Sequence, residues 1–165
     1  MPEKIDYPKK TWYKKNDNTV NLKKVNKNLI KLVNLIGDHY KTKIIITSGY
    51  RDDAAQVLAM YNNWPNVKDL YARINKNKET KEKLSDFHKK KDFANFKKHM
   101  KESVGIPKSN HGFGTAIDVK KSTKPKILSA LRSLLKELPE NHCYHFQING
   151  SLTDSKILAA KKKWK

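Results

Sequence analysis

The feature that most constrains this chain is a ten-residue stretch, Ser109-Asn110-His111-Gly112-Phe113-Gly114-Thr115-Ala116-Ile117-Asp118. It sets a histidine and an aspartate seven positions apart, with two glycines and an alanine between them. From Thr115 onward the residues alternate. Thr115, Ile117 and Val119 fall on one side of an extended chain, Ala116 and Asp118 on the other. This predicts a strand that buries its β-branched face and turns Asp118 to a cleft, with Ala116 leaving room beside the carboxylate. Gly112 and Gly114 allow the preceding loop to fold back, so that His111 and Asp118 can meet. Neutral imidazole and carboxylate are ordinary zinc ligands, and a catalytic zinc site uses three protein ligands plus an open position. The third ligand is expected from Cys143-Tyr144-His145-Phe146-Gln147-Ile148, where alternation places Cys143, His145 and Gln147 on one face. The expected metal set is therefore His111, Asp118 and His145, holding Zn2+.

These residues also carry a resemblance. S-x-H-x-x-G-x-A-x-D followed by a late H-F-Q resembles the zinc peptidoglycan peptidases of the D-alanyl-D-alanine carboxypeptidase superfamily. The H-F-Q ending is most similar to its L-alanyl-D-glutamate endopeptidase branch, which includes phage endolysins. Upstream, Thr47-Ser48-Gly49-Tyr50-Arg51 followed by Gln56 resembles the same family's S-G-Y-R strand end. The resemblance covers residues 43 to 149, in order, with a long insertion. It implies a Hedgehog/DD-peptidase fold and zinc-dependent hydrolysis of a stem-peptide bond. It places Arg51 at substrate binding or transition-state stabilisation, and Ser109 and Gln56 at the substrate. Asp52 and Asp53 offer Arg51 an alternative, a structural ion pair.

One position departs from the pattern. Three residues before the last zinc histidine this branch carries an acid as general base, and here that residue is His142, with Tyr144 where a proline is usual. Residues three apart in a strand face opposite sides, so His142 can serve as the base only if the strand begins after it. Glu140 is the alternative base. Cys143 shares the face of His145, either as a small buried residue or as a fourth ligand that would close the site. A second reading follows: a relative that has lost catalysis, keeps the metal as a staple and binds cell wall or another polyanion.

The remaining pattern predicts an α+β fold: a small, mostly antiparallel sheet carrying the metal site, flanked by helices, with a helical insertion. A chain of 165 residues suits one domain over 1–165. Its expected parts are an extended arm over 1–19, a helix from Val20 to Ile36 ended by Gly37 or Asp38-His39, and a strand over 43–48. A helix over 52–63 and a lysine-rich helical hairpin over about 66–103 come next. An amphipathic helix over 124–138, stopped by Pro139, and a short last helix over 153–163 complete the reading. His88 and His99, inside the insertion, are expected to face solvent.

The formal charge is +20, and of 36 basic residues only Arg51, Arg73 and Arg132 are arginine. Such a field favours polyanions, but lysines spread along a lysine-, asparagine- and isoleucine-rich chain also fit plain composition. The expected partners are peptidoglycan and anionic wall polymers. Nucleic acid has charge alone in its favour, with no readout motif, and a monomer is expected. The single cysteine excludes an internal disulfide framework. No apolar run approaches a membrane span, and Met1-Pro2-Glu3-Lys4-Ile5-Asp6 has no signal-peptide core. The expectation is a protein made without a signal peptide that meets the wall after holin-type release or as part of a virion.

Overall fold

The computed structural model describes residues 4–165, so the first three residues of the expected arm lie outside the described residues. In chain order the elements are β1 (Tyr13–Lys15), α1 (Lys27–His39), β2 (Ile44–Ser48), α2 (Asp53–Asn62), α3 (Trp64–Val67), α4 (Ala72–Asn75), α5 (Lys78–Lys89) and α6 (Phe93–His99). A π-helical turn over Met100–Val104 follows, then β3 (Ala116–Lys120), α7 (Pro125–Arg132), β4 (Leu135–Leu138), β5 (Cys143–Ile148) and α8 (Asp154–Lys161). Helices and a five-stranded sheet together make the class α+β. The chain divides into two compact units, Met1–Tyr50 with Phe113–Lys165, and Arg51–Gly112.

The first unit holds the sheet, in the order β1-β2-β3-β5-β4. The sheet is mostly antiparallel, as expected, but mixed at one edge, where β1 runs parallel to β2. The connection explains it: the chain leaves β1, crosses through α1 and returns as β2, and a helical crossover is what parallel neighbours require. Elsewhere the ladders are antiparallel, with β3 between β2 and β5 and β4 on the far edge. Leu29, Leu32, Val33 and Ile36 of α1 and Ile127 and Leu131 of α7 are buried with Ile44, Ile46, Ile117, Val119 and Phe146 of the sheet in one cluster. Helix α1 starts where the Asn26 side chain accepts the N–H groups of Asn28 and Leu29. It does not end at Gly37 but runs through it. A Cβ there would lie 2.5 Å from the Trp12 carbonyl oxygen, so glycine is what lets the arm lie against the helix.

The expected helix over 124–138 is in fact two elements. Pro125 opens α7 at its first turn, and the Ser133 hydroxyl bonds the Ala130 carbonyl (2.6 Å) just past its end. Leu135–Leu138 then pairs antiparallel with β5, Leu135 opposite Ile148 and Leu138 opposite His145. The apolar spacing of Leu134 and Leu135 fitted a helix, but a free sheet edge offered the backbone a full ladder and Leu135 a place in the core.

In the second unit the expected hairpin is a set of short helices. Asn77 caps α5, and Lys91, in the left-handed region at φ 56°, ends it with its own N–H on the His88 carbonyl and that of Asp92 on Phe87. Its core is Val57, Met60, Trp64, Ile74, Leu84, Phe96 and Met100. His88 and His99 are half-buried rather than solvent-facing, their rings 5.2 Å from Tyr61 and 6.1 Å from Phe87.

Candidate metal centre

Asp118 on β3 and His145 on β5 stand directly opposite each other in the antiparallel register. Such cross-strand neighbours have Cβ atoms about 5 Å apart, so the sheet itself sets the spacing of the pair. On its other side Asp118 pairs with Ser48, after a register irregularity between Ile46 and Ser48. An extra residue in one strand re-aims the side chains that follow it, and such bulges often sit beside functional sites. Asp118 is 3 % exposed and His145 5 %. His145 Nδ1 lies 2.8 Å from Asp118 Oδ1. Burial pushes the His145 pKa down, but the Asp118 hydrogen bond and the charges of Asp118 and Glu140 outweigh it and hold the value above the ordinary one.

His111 is equally buried, at 2 % exposure. The ligand atoms of His111, Asp118 and His145 all lie within 4.8 Å of one another, close enough to hold a metal ion. The donor set fits one: two nitrogens and a carboxylate oxygen, of the kind that binds zinc at about 2.1 Å. Gly114 supplies the turn expected ahead of β3. It has φ +69°, its carbonyl accepts the Asn26 N–H (2.8 Å), and a Cβ would collide with the Lys24 carbonyl.

Two neighbours join the pair on β3 and β5. Cys143, buried on the same strand face as His145, donates its thiol to Glu140 Oε2 (3.2 Å). Glu140 Oε1 lies 3.6 Å from His145 Nδ1. Among the described residues Asp118, Glu140 and Cys143 form a second group whose ligand atoms lie within 4.8 Å of one another. Glu140 and His142 are both exposed, in the loop before β5, which begins at Cys143. Sequence reasoning had Glu140 only as an alternative. The signal that could have raised it is the short Pro139–His142 loop, which puts several side chains within reach of the strand's first residues.

Within the second unit, Ser109 and Gln56 are joined: the Ser109 hydroxyl donates to Gln56 Oε1 (3.0 Å). Gln56, 3 % exposed, donates in turn from Nε2 to the Tyr71 hydroxyl (3.0 Å). Tyr71 has no motif around it and was missed. Arg51 is half-buried, and its backbone N–H donates to the His111 carbonyl (3.3 Å).

No helix among the described residues is long and apolar enough to cross a membrane. No family model, curated protein or solved structure matches the chain.

Proposed function

We propose that this chain is a zinc-dependent peptidase that hydrolyses a stem-peptide bond of peptidoglycan, of the L-Ala-D-Glu endopeptidase or D-Ala-D-Ala carboxypeptidase type. The observation that carries the reading is the convergence of buried His111, Asp118 and His145, within a motif that resembles those peptidases over ten positions. Bound there, zinc would polarise the scissile carbonyl and lower the pKa of a bound water to about 7.

The chain's own residues take the remaining roles. Asp118 and His145, fixed on opposed strands, hold the ion beside His111. Glu140 is the general base, taking a proton from water and returning it to the leaving amine. Its support is position: though Glu140 and His142 are both exposed, the Glu140 carboxylate reaches His145 Nδ1 at 3.6 Å. Arg51 suits fork-like recognition of a substrate carboxylate or a developing oxyanion. Ser109 is the polar group offered to the substrate, and buried Gln56, bonded at both ends of its amide, holds it in place. The protein would meet its wall substrate after holin-type release or as part of a virion.

Cys143 supports a second reading. If its thiolate also ligates, as a fourth protein ligand, the site is closed and the ion structural, and the chain binds wall without cutting it. X-ray absorption on the zinc-loaded protein separates the two, since a sulfur neighbour at about 2.3 Å marks the closed site.

The deciding experiment is a digest of purified bacterial sacculi with zinc-loaded protein, read by mass spectrometry for new peptide ends. New ends that vanish on chelation and with His111→Ala are expected, and their masses name the bond. A folded, zinc-loaded protein that makes none on several wall chemotypes overturns the peptidase reading.

A further inference from the structure

The first unit carries two adjoining hollows that the metal centre does not use. One, of about 340 Å³, is lined by Tyr40, Lys126, Ser129, Lys163, Trp164 and Lys165 among others. The other, also about 340 Å³, includes Asn149, Ser151 and Lys156. Both include Ser133 and Lys163, so they meet along α8. Four lysines line the pair, and no aspartate or glutamate does. Lysine-rich composition puts lysines everywhere, but it does not clear acids from one place. The hollow over α5 shows the ordinary case, where Lys68, Lys78, Lys81 and Lys89 share the lining with Glu82 and Asp86.

The walls are also built rather than loose. The His39 ring lies edge-on between Tyr40 (4.7 Å) and Trp164 (5.5 Å), and the Trp164 indole N–H reaches the Ser133 hydroxyl (3.4 Å). Lys126 Nζ covers the Tyr40 ring at 5.0 Å, and Lys156 Nζ is held by the carbonyl and hydroxyl of Ser151, each at 3.1 Å. These contacts decide the class of ligand. Lysines act as point charges for single phosphates, unlike the paired fork of arginine. Base stacking needs open aromatic faces, and the face of Tyr40 is already taken by Lys126. Serine hydroxyls and the Asn149 amide suit the hydroxyls of a polyol.

We propose that this lysine-lined groove between α7 and α8 binds a linear polyol-phosphate polymer, a chain of phosphodiesters joined by short polyols. The choice of a wall polymer as the source rests on the peptidase reading above, but the groove and its charge do not.

The test uses the full chain and a synthetic poly(glycerol phosphate) oligomer of about ten units, titrated by calorimetry at about 0.15 M salt, where diffuse surface attraction is screened beyond about 8 Å. Lys126→Gln/Lys163→Gln/Lys165→Gln is compared with Lys83→Gln/Lys90→Gln/Lys98→Gln, which removes the same charge elsewhere. Circular dichroism and zinc uptake check that each is folded. The expected result is binding by the wild type, a loss of at least about tenfold in the groove variant, and less than about twofold in the control. Because some groove variants could misfold, Trp164 fluorescence of an otherwise unaltered Trp12→Phe/Trp64→Phe chain gives a second readout and should respond to the oligomer. Equal losses in both triple variants, no binding at this salt, or tighter binding of oligothymidylate of equal charge would each overturn the proposal. His111→Ala should bind the oligomer as the wild type does while making no new peptide ends, so failure of the groove and failure of the peptidase remain separate results.

Discussion

The lysines around α5 and those lining the hollows beside α8 differ in company. On α5 and just past its end, Lys83 meets Glu79 at 2.7 Å and Lys90 meets Asp86 at 2.7 Å, each one helical turn away, while Lys81 reaches Asp69. Those pairs answer part of the charge around α5, and they lower the pKa of Glu79 and Asp69 and raise that of Lys90 through hydrogen bonds to their partners. Along α8 the lysines face hydroxyls and aromatic rings instead. The lesson is that net charge says little until each cation's neighbours are known. A chain-wide +20 conceals one stretch where lysines meet carboxylates and one where they meet hydroxyls and rings.

The cores differ as well. Beneath the sheet the buried side chains are almost all aliphatic, with Phe146 the large exception. In the helical unit Trp64, Phe96, Met60 and Met100 dominate, with Tyr61, Phe87 and Phe93 packed against them. A sheet and two layered helices bury many small β-branched residues along regular ladders. Short helices such as α3 and α4 have little ladder to offer, so a few large side chains carry the burial.

The largest effect should come from the centre of that aromatic core. Trp64 is 2 % exposed, lies 5.1 Å edge-on from Phe96 and donates to the Ser85 hydroxyl. Trp64→Ala should cost about 3–5 kcal/mol, seen as a drop in the denaturation midpoint with amide protection lost chiefly within 51–112. Loss spread evenly over the sheet residues would break the contrast between the cores. At the metal centre, Asp118→Ala should weaken zinc binding by more than about 100-fold in calorimetry, since removal of even an outer partner costs 10–100-fold. Undiminished zinc uptake would show that the ion sits elsewhere.

A smaller effect is expected from Gly37→Ala, which drives a methyl toward the Trp12 carbonyl and should cost about 1–3 kcal/mol. A neutral result would mean the arm yields freely. The pH dependence of metal stabilisation is subtler and has a definite sign. His145 has a folded-state pKa above its ordinary value. In the metal-free protein, protonated His145 therefore contributes stability fully below the unfolded pKa, and this is lost as pH rises through the folded one. Zinc requires the neutral ring. The gap in melting temperature between loaded and metal-free protein should thus shrink as pH falls from 8 to 6, and a constant gap would remove His145 from the ligands. At the bottom of the scale, Glu79→Gln should leave the melting temperature nearly unchanged, because its pair with Lys83 is fully in solvent.

How legible all this was depended on the range of the physics involved. Alternation around Ile117 and Val119 gave β3 its strand and Asp118 its face, because side-chain period is a local property. The same held for α1, whose apolar stripe needs no partner to be read. Leu135 was misread because its fate was decided by β5, a strand still to come in the chain. The parallel edge was missed for a like reason, since nothing in Tyr13–Lys15 announces its direction. At the candidate metal centre the convergence of His111, Asp118 and His145 could be read from residue type and spacing. The approach of Glu140 could not, because a loop's path depends on the strands at both of its ends. The lining along α8, without aspartate or glutamate, combines residues from Tyr40 to Lys165, and only the folded chain assembles it.

The register that sets Asp118 opposite His145 has a bearing on how such a centre can change over time. Their separation is written into the hydrogen-bond ladder of two neighbouring strands, so sequence drift that preserves the sheet preserves the pair. The acid beside them enters from the loop that ends at β5, where no ladder dictates its position. A carboxylate in that loop is placed by the path of the chain rather than by a ladder. The sheet thus fixes one part of the candidate site, and the loop alone decides the other.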